Sequence, residues 1–224
     1  MKYEIIGTTM PAVEVTLSAG EAMYTQSGGM AWQTDGVSME TNTKGGLMKG
    51  LGRMLAGESM FMATYTAQRE GAMVAFASTV PGEIIPVNVT ETKLICQKGA
   101  FLCAEEGVTV NTVLTKKLSS GLVGGEGFIL QELVGNGTAF LEIDGDKVIK
   151  ELAPGEVIKV DTGNVVAFEK SVSYEVETVK GLKNIFLGGE GLFLTKLVGP
   201  GKIVLQTQNF AEFVGRVAAG IPSK

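Results

Sequence analysis

Glutamates that follow glycine recur along the chain and form its most regular set of residues that could do chemistry. One set is Glu58, Glu126 and Glu190, and the other is Glu21, Glu83 and Glu156. If the chain has threefold internal symmetry, each set would form a triangle of carboxylates, which are oxygen ligands that cations accept. The alternative is that each carboxylate accepts hydrogen bonds from backbone N–H groups in its own glycine turn. Repeated turns need repeated turn chemistry, so we favour the second interpretation.

A second set of candidate residues is basic. The segments 44–56, 116–124 and 180–188 contain seven of the 19 basic residues and no acidic residue. These seven are Lys44, Lys49, Arg53, Lys116, Lys117, Lys180 and Lys183. Because the same segments are rich in aliphatic residues and glycine, one hypothesis is that they bind an anionic lipid surface or an acidic partner. We favour another interpretation, in which the apolar residues of these segments form a core or a subunit interface and the lysines stay solvated at its rim.

The sequence lacks the residues that the common catalytic and metal sites need. It has no histidine, which excludes Ser-His-Asp and Cys-His catalysis and histidine-ligated metals. No nucleophile elbow, P-loop or dinucleotide fingerprint occurs despite the 31 glycines. Cys96 and Cys103 have the spacing of neither a zinc site nor a disulfide framework, and we predict buried free thiols. We therefore predict no catalytic residue, no metal site, no cofactor and no enzymatic activity.

The net charge and the hydropathy of the sequence limit the classes of partner and the cellular location that we expect. A net charge of -5 disfavours binding to a nucleic-acid backbone as the main activity of the surface. No apolar run approaches the roughly 18 residues of a membrane span, and the N-terminus has no apolar signal core. The expectation is a cytoplasmic protein whose contact with a membrane would be peripheral.

Short apolar runs bounded by Gly, Pro, Asn or Asp follow one another along the chain and predict an all-β fold. The segment 140–149 reads as a hairpin, with Asp144-Gly145 as its tight turn. Near the C-terminus, Thr207 or Asn209 could cap a helix with apolar residues on one face, which we expect to pack on the body of the protein.

An internal repeat organises these strands. Residues 124–137 and 188–201 are identical at nine of fourteen positions, and a weaker copy begins at Gly57. The Gly-Glu markers alternate with a second marker that precedes other strands, so each unit holds one pair of markers. This predicts three β repeats at residues 1–79, 80–151 and 152–208, followed by a C-terminal helix or tail at 209–224, all in one compact body.

These features resemble a widespread bacterial family related to the altered-inheritance-of-mitochondria proteins of eukaryotes. The resemblance rests on the Gly-Glu turns with their aromatic-aliphatic strands, on the Pro-Gly-Glu strands and on the segment Gln206-Thr207-Gln208-Asn209, and it extends from about residue 3 to 220. It implies three fused domains similar to the tryptophan RNA-binding attenuation protein, each a short double-stranded β-helix or barrel-like unit. It also implies a homotrimer, which would form a ring of nine pseudo-equivalent domains.

The resemblance transfers no catalytic residue, and mitochondrial members are linked to inner-membrane organisation. RNA binding is not carried over, because the chain is acidic and has one tryptophan, Trp32, and 7% aromatic residues. The leading interpretation is a non-enzymatic oligomeric scaffold or binding protein that engages an anionic membrane surface or an acidic partner. Binding of a small ligand or cation through the repeated glutamates is the second, and single-stranded nucleic acid is the third.

Overall fold

The structure is a computed structural model that describes residues 1–26, 28–42, 62–113, 128–178 and 193–221. In the first half, the strands are β1 Lys2–Ile6, β2 Ala12–Leu17, β3 Ala22–Gln26, β4 Met30–Gln33, β5 Val37–Asn42, β6 Met62–Ala67, β7 Ala72–Ala77, β8 Gly82–Asn88, β9 Leu94–Gln97 and β10 Phe101–Glu105. The others are β11 Val108–Val113, β12 Leu130–Gly135, β13 Thr138–Asp144, β14 Lys147–Leu152, β15 Val157–Asp161, β16 Val165–Glu169, β17 Ser173–Thr178, β18 Phe193–Val198 and β19 Gly201–Gln206. A helix, α1 Phe210–Ala219, follows the last of these strands.

The predicted all-β class is confirmed, and so is the short C-terminal helix. The strands form four sheets, with the orders β1-β2-β7-β4, β5-β6-β3-β10-β13-β8, β11-β12-β9-β16-β19-β14 and β15-β18-β17. The registers that the structure defines are antiparallel throughout. Each of these four sheets is open, with a first and a last strand, and none closes into a barrel within the described ranges.

The chain divides into two compact units, each with its own apolar core. The first unit comprises residues 1–92, 101–109 and 134–142, and its core includes Phe76 and Phe140. The second comprises 93–100, 110–133 and 143–224, with a core that includes Phe168 and Leu197. Since the units cut across the predicted boundaries at 79, 151 and 208, the division into three repeats stays a prediction.

One pattern of strand pairing nevertheless occurs three times. In the first instance β7 pairs with β2 and β4, and β6 lies between β3 and β5. In the second, β13 pairs with β8 and β10, and β12 lies between β9 and β11. In the third, β19 pairs with β14 and β16, and β18 lies between β15 and β17. Corresponding strands can therefore be compared residue by residue.

A β-bulge marks the same place in each instance. The register shifts between Met30 and Trp32 in β4, between Phe101 and Cys103 in β10, and between Val165 and Ala167 in β16. A bulge inserts one extra residue in one strand and strengthens its local twist. Its position therefore gives an exact alignment of β4, β10 and β16.

The predicted hairpin at residues 140–149 is wrong, although its turn is present. Gly145 has a φ of 73°, as a tight turn requires, but β13 and β14 belong to different sheets. The reason is competition for the strand that follows the turn, because β14 pairs along its whole length with β19. The turn itself is held from the same side, since the hydroxyl of Thr207 accepts a hydrogen bond of 2.9 Å from the backbone N–H of Asp146.

Candidate functional site

Two of the repeated glutamates occupy the same kind of turn. The side chain of Glu21 accepts a 2.9 Å hydrogen bond from the backbone N–H of Ser18, three residues earlier. That of Glu156 accepts one of 2.8 Å from Ala153, also three residues earlier. In each turn the glutamate N–H donates back to the carbonyl of the same residue, at 3.0 Å and 2.9 Å respectively. This reciprocal pair of bonds is the turn chemistry that the sequence favours.

The charge of Glu21 is further stabilised by the N-terminus. The hydrogen bond from Ser18 lowers the pKa of Glu21, and the amino group of Met1, 3.1 Å from the carboxylate, lowers it further. Glu83 is half-buried at the start of β8. In the part of the chain that the structure describes, no three residues of the types His, Cys, Asp and Glu are close enough to hold a metal ion.

The other sequence-predicted site residues lie outside the described ranges. These are the second glutamate set, Glu58, Glu126 and Glu190, and all seven basic residues, Lys44, Lys49, Arg53, Lys116, Lys117, Lys180 and Lys183. Their roles therefore stay predictions.

Both cysteines are buried free thiols, which confirms the prediction. Burial raises the pKa of Cys96 to about 12 and holds that of Cys103 well above its usual value. Because the thiolate is the nucleophilic and metal-binding form, both side chains are unreactive at neutral pH.

A half-buried carboxylate, that of Glu142 in β13, was not predicted from the sequence. Burial raises the pKa of Glu142, against two hydrogen bonds that lower it. These bonds reach one carboxylate oxygen from the hydroxyl of Ser78, at 3.0 Å, and from the backbone N–H of Thr79, at 3.2 Å. A charged residue within the apolar run 139–143 was the available signal.

Gln206 occupies the position in β19 that Glu142 occupies in β13. Both follow the leucine paired with the first residue of a bulge, at Leu205–Val165 and Leu141–Phe101. Gln206 Oε1 accepts a 3.0 Å bond from the backbone N–H of Asp144, and its Nε2 donates to the carbonyl of Gly163 at 2.9 Å. A neutral amide thus does in one instance what a carboxylate does in another.

Two strands lie at sheet edges where their counterparts lie inside a sheet. In β4, Ala31, Trp32 and Gln33 are exposed, whereas the first four residues of both β10 and β16 are buried. In β15, Val157 and Lys159 are exposed, whereas β3 and β9 are buried except for their last, half-buried residue. Unpaired strand edges attract other strands, so these are candidate binding surfaces.

The third candidate surface is the apolar face of α1. Its residues Phe210, Phe213, Val214 and Val217, and Ile221 just after the helix, all have exposed side chains, and Phe213 is 51% exposed. The expected packing of this helix on the body of the protein is therefore not what the structure shows. Within the described ranges, no helix has the length and apolar character needed to cross a membrane.

The helix α1 begins directly after Asn209, one of the two cap residues that the sequence suggested. Asn209 caps α1, since its side-chain oxygen accepts a 3.2 Å hydrogen bond from the N–H of Glu212. Its amide nitrogen donates to Asp161 Oδ1 at 3.0 Å. Since Asp161 is the last residue of β15, the first turn of the helix is tied to an open strand edge.

Known proteins resemble the chain over most of its length, one in sequence and one in both sequence and fold. An uncharacterised protein of Streptococcus pyogenes serotype M6 is 29% identical over 221 residues, which are 95% of this chain and 88% of that protein. A crystal structure of a protein from Streptococcus pyogenes matches with a TM-score of 0.80 and 25% identity. The match covers 98% of this chain and 99% of that one.

A family model covers nearly the whole chain. The model described as Mitochondrial biogenesis AIM24 matches residues 3–208, a range that begins one residue inside β1, contains the other eighteen described strands and ends just before α1. The resemblance noted from the Gly-Glu and Pro-Gly-Glu turns is thereby confirmed. The chain belongs to the Mitochondrial biogenesis AIM24 family.

Proposed function

We propose that the protein is a non-enzymatic, oligomeric binding protein that engages an anionic membrane surface from the cytoplasm. The observation that carries this proposal is the exposed apolar face of α1. Large apolar side chains that lie together on a surface mark sites of interaction with proteins or membranes. Five of them within twelve residues, two of them phenylalanine, give one compact patch.

The form of the helix suits the surface of a bilayer. An amphipathic helix can lie in the membrane interface, with its apolar face below the headgroups and its polar face in water. The polar side of α1 carries Glu212 and Arg216, which form an ion pair with each other. The helix therefore contributes apolar contact and no net charge to an encounter with lipid.

Electrostatic attraction would come from the seven basic residues of the segments 44–56, 116–124 and 180–188. Each basic residue near an anionic bilayer contributes about 1 kcal/mol, an effect that salt screens. Several copies of a weak membrane-binding element on one oligomer raise the overall affinity without any new contact. The homotrimer implied by the family resemblance would supply three such elements.

The alternatives receive less support from the described residues. Cation binding through the set Glu21, Glu83 and Glu156 is less favoured, because backbone N–H groups already donate to the carboxylates of Glu21 and Glu156. An acidic protein partner would use the same basic segments. It would not need the apolar face of α1, and this difference separates the two readings.

The test is co-sedimentation with anionic phosphatidylserine vesicles of the unaltered protein and of a double variant, Phe213→Ser with Val217→Ser. Both substitutions add a polar group to the apolar face, so we expect the bound fraction to fall at least tenfold. The matched control is Ala219→Ser, which lies about 180° around the helix from the centre of that face. Equal binding by all three proteins would contradict a role for α1 in lipid binding.

A further inference from the structure

We propose that β15 of one copy of the chain pairs antiparallel with β4 of a second copy, in a register that the structure defines. This inference rests on the oligomeric part of the proposed function. It goes beyond that part because it names the two strands that meet and the residues opposite each other. Two junctions of this kind exist inside the chain.

At both internal junctions, a strand of one instance of the pattern pairs with the bulged strand of the next. In β3 and β10 the opposite residues are Thr25 and Cys103, Tyr24 and Ala104, Met23 and Glu105. In β9 and β16 they are Cys96 and Ala167, Ile95 and Phe168, Leu94 and Glu169. The two junctions have the same register relative to the bulge.

A backbone hydrogen bond extends both ladders by one step. The N–H of Glu106 donates to the carbonyl of Ala22 at 3.3 Å, just beyond the last pair of β10 and β3. The N–H of Lys170 donates to the carbonyl of Lys93 at 2.9 Å, just beyond the last pair of β16 and β9. The junctions thus agree in side-chain register and in main-chain bonding.

Within the residues that the structure describes, the third instance of the pattern lacks this junction. Its strand β15 corresponds to β3 and β9, and it is the first strand of its sheet, paired with β18 alone. The bulged strand left over is β4, the last strand of its sheet, paired with β7 alone. Among the described strands, one chain therefore has one strand of each kind without a partner on one side.

The alignment of the spare strands follows from their paired neighbours. Gln131 and Thr195 hold the same place in the fourteen-residue repeat, and their opposite residues are Cys96 and Val160. Val160 therefore corresponds to Cys96. Trp32 follows the bulge of β4 as Ala167 follows that of β16, so Trp32 corresponds to Ala167.

The register of the junction between copies is then fixed. Trp32 of one copy lies opposite Val160 of another, with Gln33 opposite Lys159 and Thr34 opposite Ile158. The backbone N–H of Asp35 donates to the carbonyl of Val157, as Glu106 donates to Ala22. The direction of the backbone N–H groups agrees with this register. The N–H of Thr34 donates to the carbonyl of Met73 in the same chain at 2.9 Å. Because adjacent N–H groups in a strand point to opposite sides, the N–H of Asp35 points away from β7 and towards the second copy.

Burial supports a second copy as the occupant. Trp32 is 41% exposed and Val157 is 50% exposed, whereas the residues that correspond to Trp32, Cys103 and Ala167, are fully buried. Pairing of the two edges would cover an exposed tryptophan and leave neither strand open. The contact joins two different surfaces, so it propagates from copy to copy and ends only when a ring closes.

The experiment maps the junction with disulfides. Directly opposite residues in an antiparallel pair have Cα atoms roughly 4.5–5.5 Å apart, which permits a disulfide. Trp32→Cys and Val160→Cys chains are co-expressed, purified as one oligomer and oxidised with diamide. We expect a covalent dimer that joins one chain of each kind. Unaltered protein is the control, because Cys96 and Cys103 are buried.

A register control and a mass measurement separate the outcomes. Trp32→Cys with Ile158→Cys places the thiols on diagonal positions about 7–8 Å apart, and we expect at least tenfold less dimer. Light scattering on unaltered protein reports whether 23.5 kDa chains assemble, with three chains expected. If the protein is an oligomer but forms no disulfide between positions 32 and 160, the proposed register is wrong. The register is also wrong if the pair at positions 32 and 158 cross-links as well as the pair at 32 and 160. A single-chain mass overturns both this inference and the oligomeric part of the proposed function.

Discussion

Glu142 shows how a single half-buried carboxylate links stability to pH. Its pKa is raised by burial, so the ionised form is less favourable in the folded chain than in the unfolded one. Because the pKa of Glu142 is higher in the folded chain than in the unfolded chain, its favourable contribution to the free energy of unfolding is fully present below the unfolded-state pKa. That contribution is lost as pH rises through the folded value. The unaltered protein therefore gains stability from this group as the solution is acidified.

We predict that Glu142→Gln is about 1 kcal/mol more stable than the unaltered protein near pH 7. The amide oxygen can accept the bonds from Ser78 and Thr79, as Gln206 Oε1 accepts that of Asp144. Urea unfolding followed from about pH 7 down to about pH 4 should show the advantage disappear, because Glu142 becomes protonated. The converse variant, Gln206→Glu, should lose stability near pH 7. A less stable Glu142→Gln protein would contradict the burial argument.

At the level of secondary-structure elements, the sequence predicted the features that depend on neighbouring residues. The cap at Asn209 and the apolar spacing after it predicted α1, because helix initiation depends on neighbouring residues. The Asp144-Gly145 turn was also correct. The hairpin around it was not, because β14 has a better partner in β19, and such a partner is set by distant parts of the chain. Similarly, spacing showed that one face of α1 is apolar and could not show that it is exposed.

We predict that Asn209→Ala destabilises α1 by about 1 kcal/mol, the usual cost of losing a side-chain cap. The substitution removes both the bond to Glu212 and the bond to Asp161. Amide hydrogen exchange in residues 210–219 should become faster, while exchange in β19 stays unchanged. Asn209→Asp is the matched variant, since it keeps the cap and loses the donor to Asp161. Unchanged exchange in Asn209→Ala would show that the cap does not hold the helix.

At the scale of the whole molecule, the sequence predicted the class and the family, and the structure supplied the connections. Short runs of Val, Ile and Phe predict strands, but their order in a sheet depends on contacts between distant residues. The Gly-Glu turns at Glu21 and Glu156 have the backbone hydrogen bonds that the sequence favoured. Glu142 was missed because its partners, Ser78 and Thr79, are 64 and 63 residues away respectively. The open edges of β4 and β15 became visible only by comparison with their paired counterparts.

The central claim is that the assembled protein binds an anionic membrane surface. It is tested most directly by co-sedimentation with neutral and anionic vesicles at low and at high salt, on protein whose mass has been fixed by light scattering. We predict binding to anionic vesicles that weakens as salt rises, because the basic segments act through screened charge. Neutral vesicles should bind at least tenfold less. Absence of binding to both kinds of vesicle at low salt, or equal binding to both at each salt concentration, would contradict the claim.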